Sequence, residues 1–226
     1  MKKIIAMAVV AAVAVSMVCA QITVGAKRTF GMNLGSKVSD EAKDIFARND
    51  DAKNAFMVNS GDSIYGRYNL PFLPALGVQL EFGLTANNGA GLKAEYEGVE
   101  MTATASYLSL DFPLLVTYDI PVGSIMITPM VGINFSVPVG SPKFVFKTDE
   151  NEASMDMGDL KDTGFIPGIV AGVEVGIPVG PGSITAGLSY VNDFTPVKLK
   201  SDGFDEKVDL LTRRNFNISL GYALKF

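Results

Sequence analysis

The chain has 226 residues, of which 48% are hydrophobic and 19% charged, and its formal net charge is −5. It contains no histidine and a single cysteine, which excludes histidine-activated serine or cysteine nucleophiles, histidine-ligated zinc and an intrachain disulfide. An acidic chain without a basic patch is also a poor candidate for binding nucleic acid, so the composition predicts a protein that is not an enzyme, needs no cofactor and binds no nucleic acid.

Residues 1–20 have the pattern of a secretory signal peptide. Two lysines follow the first methionine, an apolar run follows the lysines, and the segment ends in Val18-Cys19-Ala20. The run is slightly short for a membrane-spanning helix. A lipoprotein signal that uses Cys19 is an alternative, although Val18 is bulkier than such signals prefer before the cysteine. We therefore expect cleavage after Ala20 and one mature domain over 21–226.

Beyond Ala20, apolar residues alternate with small or polar ones. In a β-strand successive side chains point to opposite faces, so this period of two predicts strands with one apolar face. The alternating segments are 22–34, 76–85, 107–119, 125–136, 164–177, 183–194 and 216–226. Their lengths match the roughly 9 to 11 residues that a tilted strand needs to cross a membrane.

These seven segments need an eighth, because single-chain bacterial barrels have an even number of strands. Segment 64–70 is the candidate, with 71–74 as its turn. Tight turns at 121–123 and 179–182 alternate with long polar loops. The predicted loops are about 35–60, 87–104, 138–162 and 197–212. The sequence thus predicts an all-β fold, an eight-stranded antiparallel up-and-down transmembrane β-barrel, with ten strands as an alternative if 93–104 also pairs.

Charge placement indicates which face of the predicted strands is outside. A soluble lipocalin-like barrel alternates too, but its surface should carry roughly 25–35% charged residues. Here the polar strand faces hold mostly glycine, serine, threonine, asparagine and alanine, and the charges concentrate in loops such as 147–152. We therefore expect the apolar face to meet lipid and the protein to reside in the bacterial outer membrane.

A few charged residues fall on the strand face that should line the barrel interior. They are Lys27, Arg67, Glu81, Asp111 and Glu174. An eight-stranded barrel is just wide enough for side chains to fill it, and buried charges must be paired or hydrated. The favoured interpretation is an ion-pair network that plugs the barrel, and the alternative is a polar pathway for a small solute.

Arg28 falls on the predicted lipid-facing side of the first strand. An arginine at the middle of the bilayer costs about 2–4 kcal/mol. A bulge near Gly25 would turn the side chain inward, and snorkelling would carry its charge to the membrane surface. The sequence does not decide between these two explanations.

The acidic segment 149–162 is a candidate calcium site by composition alone. It lacks the Asp-x-Asp-x-Asp-Gly spacing of a preformed calcium loop. We therefore interpret it as a solvated loop and expect no metal site there.

Three stretches resemble the PorT-like outer-membrane β-barrel family and, more distantly, small OmpX-type and OmpW-type barrels. They are 21–27, 107–118 and 216–226. The resemblance implies that both termini lie in the periplasm and that barrel-assembly machinery reads the last strand, with Phe216, Tyr222 and Phe226 as its signal. Outer-membrane lipid and periplasmic chaperones are the other partners it implies. The family supplies no catalytic residues.

The expected function follows from this architecture. We expect a non-enzymatic integral outer-membrane protein that has a structural or surface-interaction role through its long loops. The alternative is a narrow channel or transporter for small solutes, apolar ones among them. The sequence does not identify an extracellular ligand.

Overall fold

The computed structural model describes most of the predicted mature domain. The described residues are 21–33, 37–38, 53–96, 99–148, 152–156, 164–199 and 208–226. The predicted signal peptide, 1–20, lies outside them, and so does most of the acidic segment 149–162. Among the described residues, no helix is long and apolar enough to cross a membrane.

Eight long strands close into a ring. They are β1 (Gln21–Asn33), β2 (Val58–Leu70), β3 (Leu73–Tyr96), β4 (Val99–Tyr118), β5 (Ile125–Thr148), β6 (Ile166–Val179), β7 (Gly182–Asp193) and β8 (Arg214–Lys225). Each strand pairs antiparallel with the next, and β8 pairs with β1. The predicted eight-stranded up-and-down barrel is confirmed.

Several short strands lie at one end of this ring. Lys37–Val38, Val197–Leu199 and Val208–Thr212 form a separate three-stranded sheet. Lys53–Ala55 pairs with β3 and Glu152–Asp156 with β5, so both widen the main sheet. At the opposite end, the short strand Ile120–Val122 pairs with the beginning of β5.

The two ends of the barrel differ in their connections. Tight turns join β2 to β3, β4 to β5 and β6 to β7, and Gly123 and Gly180 adopt φ of 61° and 60° within two of them. Glycine reaches this left-handed region without steric cost. We call this the turn end of the barrel, and the opposite end, where the long connections lie, the loop end.

Two of the predicted loops are wrong. Instead of loops at 87–104 and across the first part of 138–162, β3 continues to Tyr96, β4 begins at Val99 in register with it, and β5 continues to Thr148. The 93–104 region does pair, but as an extension of β3 and β4, so the ring keeps eight strands.

A bulge explains why the sequence pattern hid the extension of β3. The register shifts between Thr85 and Asn88, and Asn87 there has φ of 58°. A one-residue shift exchanges the two faces of a strand. Odd-numbered residues of β3 face inward before the bulge, whereas after it the buried side chains larger than glycine are those of the even-numbered Asn88, Ala90 and Leu92.

The distribution of side chains is the inverse of that in a soluble protein. Large apolar residues such as Ile64 and Leu220 are each 61% exposed on the outer face, while Gln79 and Ser109 are fully buried inside. Soluble proteins rarely expose large contiguous apolar surfaces. A lipid-facing apolar band around a polar interior is the arrangement of transmembrane β-barrels, as the sequence predicted.

Candidate functional site: the barrel interior

Arg67 on β2 organises the interior near the turn end. Its Nε donates to Gln79 Oε1 on β3 at 2.7 Å, and its Nη2 reaches across the barrel to Glu174 Oε1 on β6 at 3.0 Å. Its Nη1 lies 3.3 Å from Asp119 Oδ1, just after β4. One guanidinium therefore links strands on opposite walls, which its planar fork of donors suits.

A second cation extends this arrangement towards β1. Lys27 Nζ lies 2.6 Å from Glu81 Oε1, and Gln79 Nε2 donates to the same oxygen at 2.6 Å. Lys27, Arg67, Gln79, Glu81, Asp119 and Glu174 thus form one hydrogen-bonded group, which we call the turn-end cluster.

Close packing around Tyr65 supports the turn-end cluster. The Lys27 ammonium lies 5.5 Å and the Arg67 guanidinium 5.9 Å from the centre of the Tyr65 ring, within the range of a cation–π contact. Gly25 on β1 faces the same ring, and a Cβ at this position would overlap the ring atoms. The inward glycine of β1 therefore provides the space in which the aromatic ring lies under both cations.

Arg213, immediately before β8, organises a second charged group nearer the loop end. Its Nε and Nη2 each donate to one carboxylate oxygen of Asp193 on β7 at 3.0 Å, and its Nη1 donates to Asp111 Oδ1 on β4 at 3.0 Å. The Arg213 and Asp193 side chains are only 3% and 1% exposed. Bidentate, buried pairing of this kind is the strongest geometry open to an arginine.

Neutral polar side chains complete the coordination of Asp111. Thr85, Ser109 and Asn134 donate to its carboxylate at 2.8, 3.0 and 3.1 Å. Asn88 in turn donates to Ser109 at 2.6 Å, and Asn215 donates to Asn88 at 3.1 Å. We call Arg213, Asp111, Asp193 and these neutral partners the loop-end cluster.

A cavity of about 90 Å³, which we call the middle cavity, lies between the two clusters. Glu81 and Lys27 line it from one side, and Arg213 and Asp111 from the other. Part of its wall is an apolar group made of Leu115, Met130, Val170 and Val191. A polar cavity of this volume is large enough for several water molecules.

An apolar group, which we call the apolar cap, covers the loop-end cluster. It consists of Ala90, Leu92, Tyr107, Phe144, Ile166, Val197 and Leu211. Val197 and Leu211 come from the separate three-stranded sheet, face each other in register and are each 1% exposed. Two described strands of the connection between β7 and β8, Val197–Leu199 and Val208–Thr212, thus pack apolar side chains against those of β3, β4, β5 and β6.

The turn end has an open vestibule of about 270 Å³. Arg67, Asp119 and Glu174 line it together with Tyr65 and Lys225. The turn-end cluster is therefore accessible from this end of the barrel, whereas the loop-end cluster lies beneath the apolar cap.

The structure distributes the sequence-predicted interior residues over both clusters. Lys27, Arg67, Glu81 and Glu174 meet in the turn-end cluster, and Asp111 lies in the loop-end cluster. Sequence reasoning missed Arg213 because it borders a predicted loop. Continuing the alternation of β8 backwards from Asn217 and Asn215 would have placed residue 213 on the inner face.

The predicted assembly residues lie on the outside of β8. Phe216 pairs in register with Met32 of β1, Tyr222 is 39% exposed, and Phe226 follows the strand at 73% exposed. The Tyr222 hydroxyl donates to the carbonyl oxygen of Val179 at 3.1 Å. Aromatic side chains therefore surround the turn end of β8, where a barrel of this type meets the membrane surface.

The structure excludes one of the two explanations that the sequence left open for Arg28. The pairing of β1 with β2 and β8 runs without a register shift from Thr23 to Met32, so no bulge turns Arg28 inward. Its side chain lies on the outer face, 58% exposed, and its Nη1 is 3.8 Å from Asp62 Oδ1 of β2. Arg28 and Asp62 form an ion pair across two strands on the lipid-facing surface.

Comparisons with known proteins find similar folds among solved structures. No protein-family model matches the chain, and no curated protein matches it in sequence. The fold is similar to a major outer membrane protein from Thermus thermophilus, with 15% identity, 92% of this chain and 99% of that chain covered, and a TM-score of 0.48.

Two further solved structures are similar in the same way. The outer membrane protein OprG from Pseudomonas aeruginosa has 14% identity, with 92% and 95% of the chains covered and a TM-score of 0.46. Neisserial surface protein A has 13% identity, with 92% and 97% covered and a TM-score of 0.39. All three scores are below 0.5, so the description of this chain as a transmembrane barrel rests on its own strand pairing and apolar exterior.

Proposed function

We propose that this protein is a closed, non-enzymatic barrel of the bacterial outer membrane that presents a rigid surface at its loop end. The observation that carries the proposal is that three groups of side chains follow one another along the lumen: the turn-end cluster, the loop-end cluster and the apolar cap. We call these three groups the seals of the lumen. Each seal spans several strands, so a solute would have to break buried charge pairs twice and displace apolar side chains once. Breaking a buried pair is strongly unfavourable.

The extension of β3, β4 and β5 at the loop end supports a role in display. These strands continue past the bulge, contribute Ala90, Leu92 and Phe144 to the apolar cap and run on beyond it, and Lys53–Ala55 and Glu152–Asp156 flank them. The result is a sheet, whose hydrogen bonds hold it more rigidly than loops of the same length. Binding residues are commonly carried on connections that a rigid scaffold positions.

Insertion into the outer membrane requires targeting and assembly. The signal peptide over 1–20, cleavage after Ala20, and recognition of Phe216, Tyr222 and Phe226 by barrel-assembly machinery with help from periplasmic chaperones are part of the proposal. They rest on the sequence pattern and on the resemblance to PorT-like barrels. Cell fractionation combined with gel mobility before and after boiling tests localisation and barrel formation together.

A shortened hairpin tests the display role. Replacing 93–102 with a two-residue turn removes the outer part of the extension of β3 and β4 and leaves Ala90 and Leu92 of the apolar cap, and the pairing nearer the turn end, in place. Cells that carry this variant should retain a heat-modifiable barrel and lose binding to labelled extracellular-matrix proteins or envelope fragments that the unaltered cells bind. Equal binding by both kinds of cell would contradict the display role.

A narrow channel is the second candidate. The vestibule of about 270 Å³ and the middle cavity of about 90 Å³ lie on either side of the turn-end cluster, so rearrangement of Arg67 and Lys27 would join them. Swelling of proteoliposomes in small sugars, amino acids or aromatic alcohols distinguishes the two functions. The closed barrel predicts swelling no faster than in protein-free liposomes, and solute-selective swelling would favour the channel.

A further inference from the structure

The outer face of β1 and β2 differs from the remainder of the lipid-facing surface. It carries Arg28 and Asp62 at its centre and the small residues Ala26 and Gly66 beside them, all of them exposed. We call this the β1–β2 outer face. A charged pair in this position contrasts with the apolar outer residues of the other strands, such as Leu80 and Ile133.

The ion pair lies within the apolar band and not at its edge. Along β1, Val24 precedes Arg28 and Phe30 follows it on the same face, and they are 49% and 52% exposed. Around the barrel, the register leads from Asp62 to Leu84 of β3 and from Arg28 to Leu220 of β8. Apolar side chains therefore flank Arg28 along β1 and the pair on the neighbouring strands β3 and β8, while Ser60 lies next to Asp62 on the outer face of β2.

Among the described residues, most of the hydrogen-bonding capacity of this pair is unused. Arg28 Nη1 lies 3.8 Å from Asp62 Oδ1, which is longer than a hydrogen bond, and the Arg28 guanidinium lies 5.5 Å from the centre of the Phe30 ring. A guanidinium carries five N–H donors and a carboxylate about four acceptor positions. Charged side chains within membrane-spanning segments face protein or water or pair with one another, and the single long contact leaves donors and acceptors of this pair available to a polar partner.

We infer that the β1–β2 outer face is the docking surface for a second copy of this chain, with Arg28 of each copy bound to Asp62 of the other. Charge complementarity supports this pairing. Two barrels inserted in the same direction are related by a two-fold axis along the membrane normal, and such an axis brings the same patch of each copy together. Because Arg28 and Asp62 lie side by side on this patch, the rotation places Arg28 of each copy opposite Asp62 of the other.

The shape of the β1–β2 outer face fits a close approach of two sheets. A groove of about 490 Å³ runs along it, with Ala26, Arg28 and Asp62 among its lining residues. A Cβ built at Gly66 would meet nothing within 4 Å, so the surface is open at that point. Small residues at membrane-embedded interfaces allow backbones to approach closely and shorten polar contacts between the partners.

A lipid phosphate is a poorer occupant for the same position. Asp62 lies next to Arg28 and would repel an anion, and apolar residues flank the pair at the level where acyl chains lie. The inference requires only that the barrel is inserted in a membrane, so it stands whether or not the lumen conducts.

Cysteine cross-linking in native membranes tests the docking surface. Gly66→Cys, in a Cys19→Ala background, puts the only thiol on the β1–β2 outer face, and Ile133→Cys, outward on β5, is the matched control. Gly66 lies four residues from Asp62 along β2, so a flexible bis-maleimide replaces direct disulfide formation, which requires the two Cα atoms to lie about 4.4–6.8 Å apart. With this reagent we expect Gly66→Cys to form cross-linked dimers at least about tenfold faster than Ile133→Cys, as expected of a specific interface over random encounter. Equal rates would mean that lipid or another protein covers this face, and they would overturn the inference.

Charge variants, made in the Gly66→Cys protein, test whether the pairing crosses between copies. Arg28→Asp leaves two acidic residues on the face and Asp62→Arg leaves two basic ones, so each variant alone should cross-link about tenfold less because like charges meet. Co-expression of the two charge variants should restore the cross-linked species, since each supplies what the other lacks. Folding of both is checked by heat-modifiable mobility, and failure of the mixture to cross-link would overturn the inference. If either variant does not fold, the comparison of Gly66→Cys with Ile133→Cys decides alone.

Discussion

The two charged clusters inside the barrel use the same chemistry in different surroundings. In the loop-end cluster, one guanidinium binds two carboxylates beneath an apolar cap, and the Arg213 side chain is 3% exposed. In the turn-end cluster, the bonds of Arg67 are spread over Gln79, Asp119 and Glu174, and an open vestibule reaches them. Because Arg213 and Asp193 form a bidentate pair that is only 3% and 1% exposed, whereas Arg67 and Asp119 are 7% and 12% exposed, the first cluster should contribute more to stability per residue and the second should be easier to rearrange.

This contrast extends to the ion pair on the outside. Arg28 and Asp62 have the same residue types as Arg213 and Asp193, but they make one long contact and are mostly exposed. Exposed pairs usually contribute little. The position of a pair in the fold, and not its composition, therefore sets its energetic role.

The largest effect is expected from Arg213→Ala. The substitution leaves Asp111 and Asp193 buried without a cation, and breaking a buried pair in this way costs about 3–5 kcal/mol. Urea unfolding in detergent micelles, followed by gel mobility, measures the free energy of unfolding. As a control, the triple change Arg213→Met, Asp111→Asn and Asp193→Asn removes all three charges and should recover most of the loss. A decrease below about 1 kcal/mol for Arg213→Ala would contradict the role of the loop-end cluster.

A smaller loss is expected from Arg67→Ala. Its partners Asp119 and Glu174 line the vestibule and can be hydrated, so we expect a decrease of about 2–3 kcal/mol. The same urea titration makes the comparison, and Arg67→Lys, which keeps the charge but not the planar fork, should lose less. A loss equal to or larger than that of Arg213→Ala would remove the distinction between the two clusters.

Gly25→Ala tests the packing beneath the turn-end cations. The added methyl group overlaps the Tyr65 ring, and overpacking of this kind costs about 1–3 kcal/mol. Tyr65→Leu in the same molecule removes the ring, so the double variant should lose less than the sum of the single changes. Strictly additive losses would show that the ring moves aside without cost.

The smallest loss is expected on the outside of the single barrel. Replacing Arg28 and Asp62 together by leucine removes two charges from the lipid-facing surface, where an arginine costs about 2–4 kcal/mol, so the free energy of unfolding of the monomeric detergent-solubilised protein should not fall. Urea titration in the same micelles provides the value. A loss comparable to that of Arg67→Ala would mean that the pair stabilises the single barrel and not its contact with another molecule.

The alternation of the sequence was sufficient to predict the barrel, because each transmembrane strand buries one face in lipid and the other in a polar lumen. It failed between 87 and 104, where the bulge at Thr85–Asn88 exchanges the two faces of β3. A pattern with a period of two cannot reveal such a shift without knowledge of the neighbouring strand. The eight strands are confirmed, and the loops predicted at 87–104 and at the beginning of 138–162 were wrong.

The interior site was accessible from sequence only in part. Alternation puts Lys27, Arg67 and Glu81 on the inner face, but it does not tell which strands lie opposite each other across the lumen. The bond between Arg67 and Glu174 spans β2 and β6 and depends on closure of the ring. The position of Arg213 depends on the point where β8 begins. The signal peptide and the assembly role of Phe216, Tyr222 and Phe226 remain predictions.

The central claim is that the charged clusters and the apolar cap close the lumen. Single-channel recording of the purified wild-type barrel in planar lipid bilayers tests it most directly, with a known open porin in the same bilayers as the positive control. We predict no steady current above that of the bare bilayer over the voltage range in which the membrane is stable. A stable unitary conductance with reproducible ion selectivity in the wild-type protein would contradict the claim.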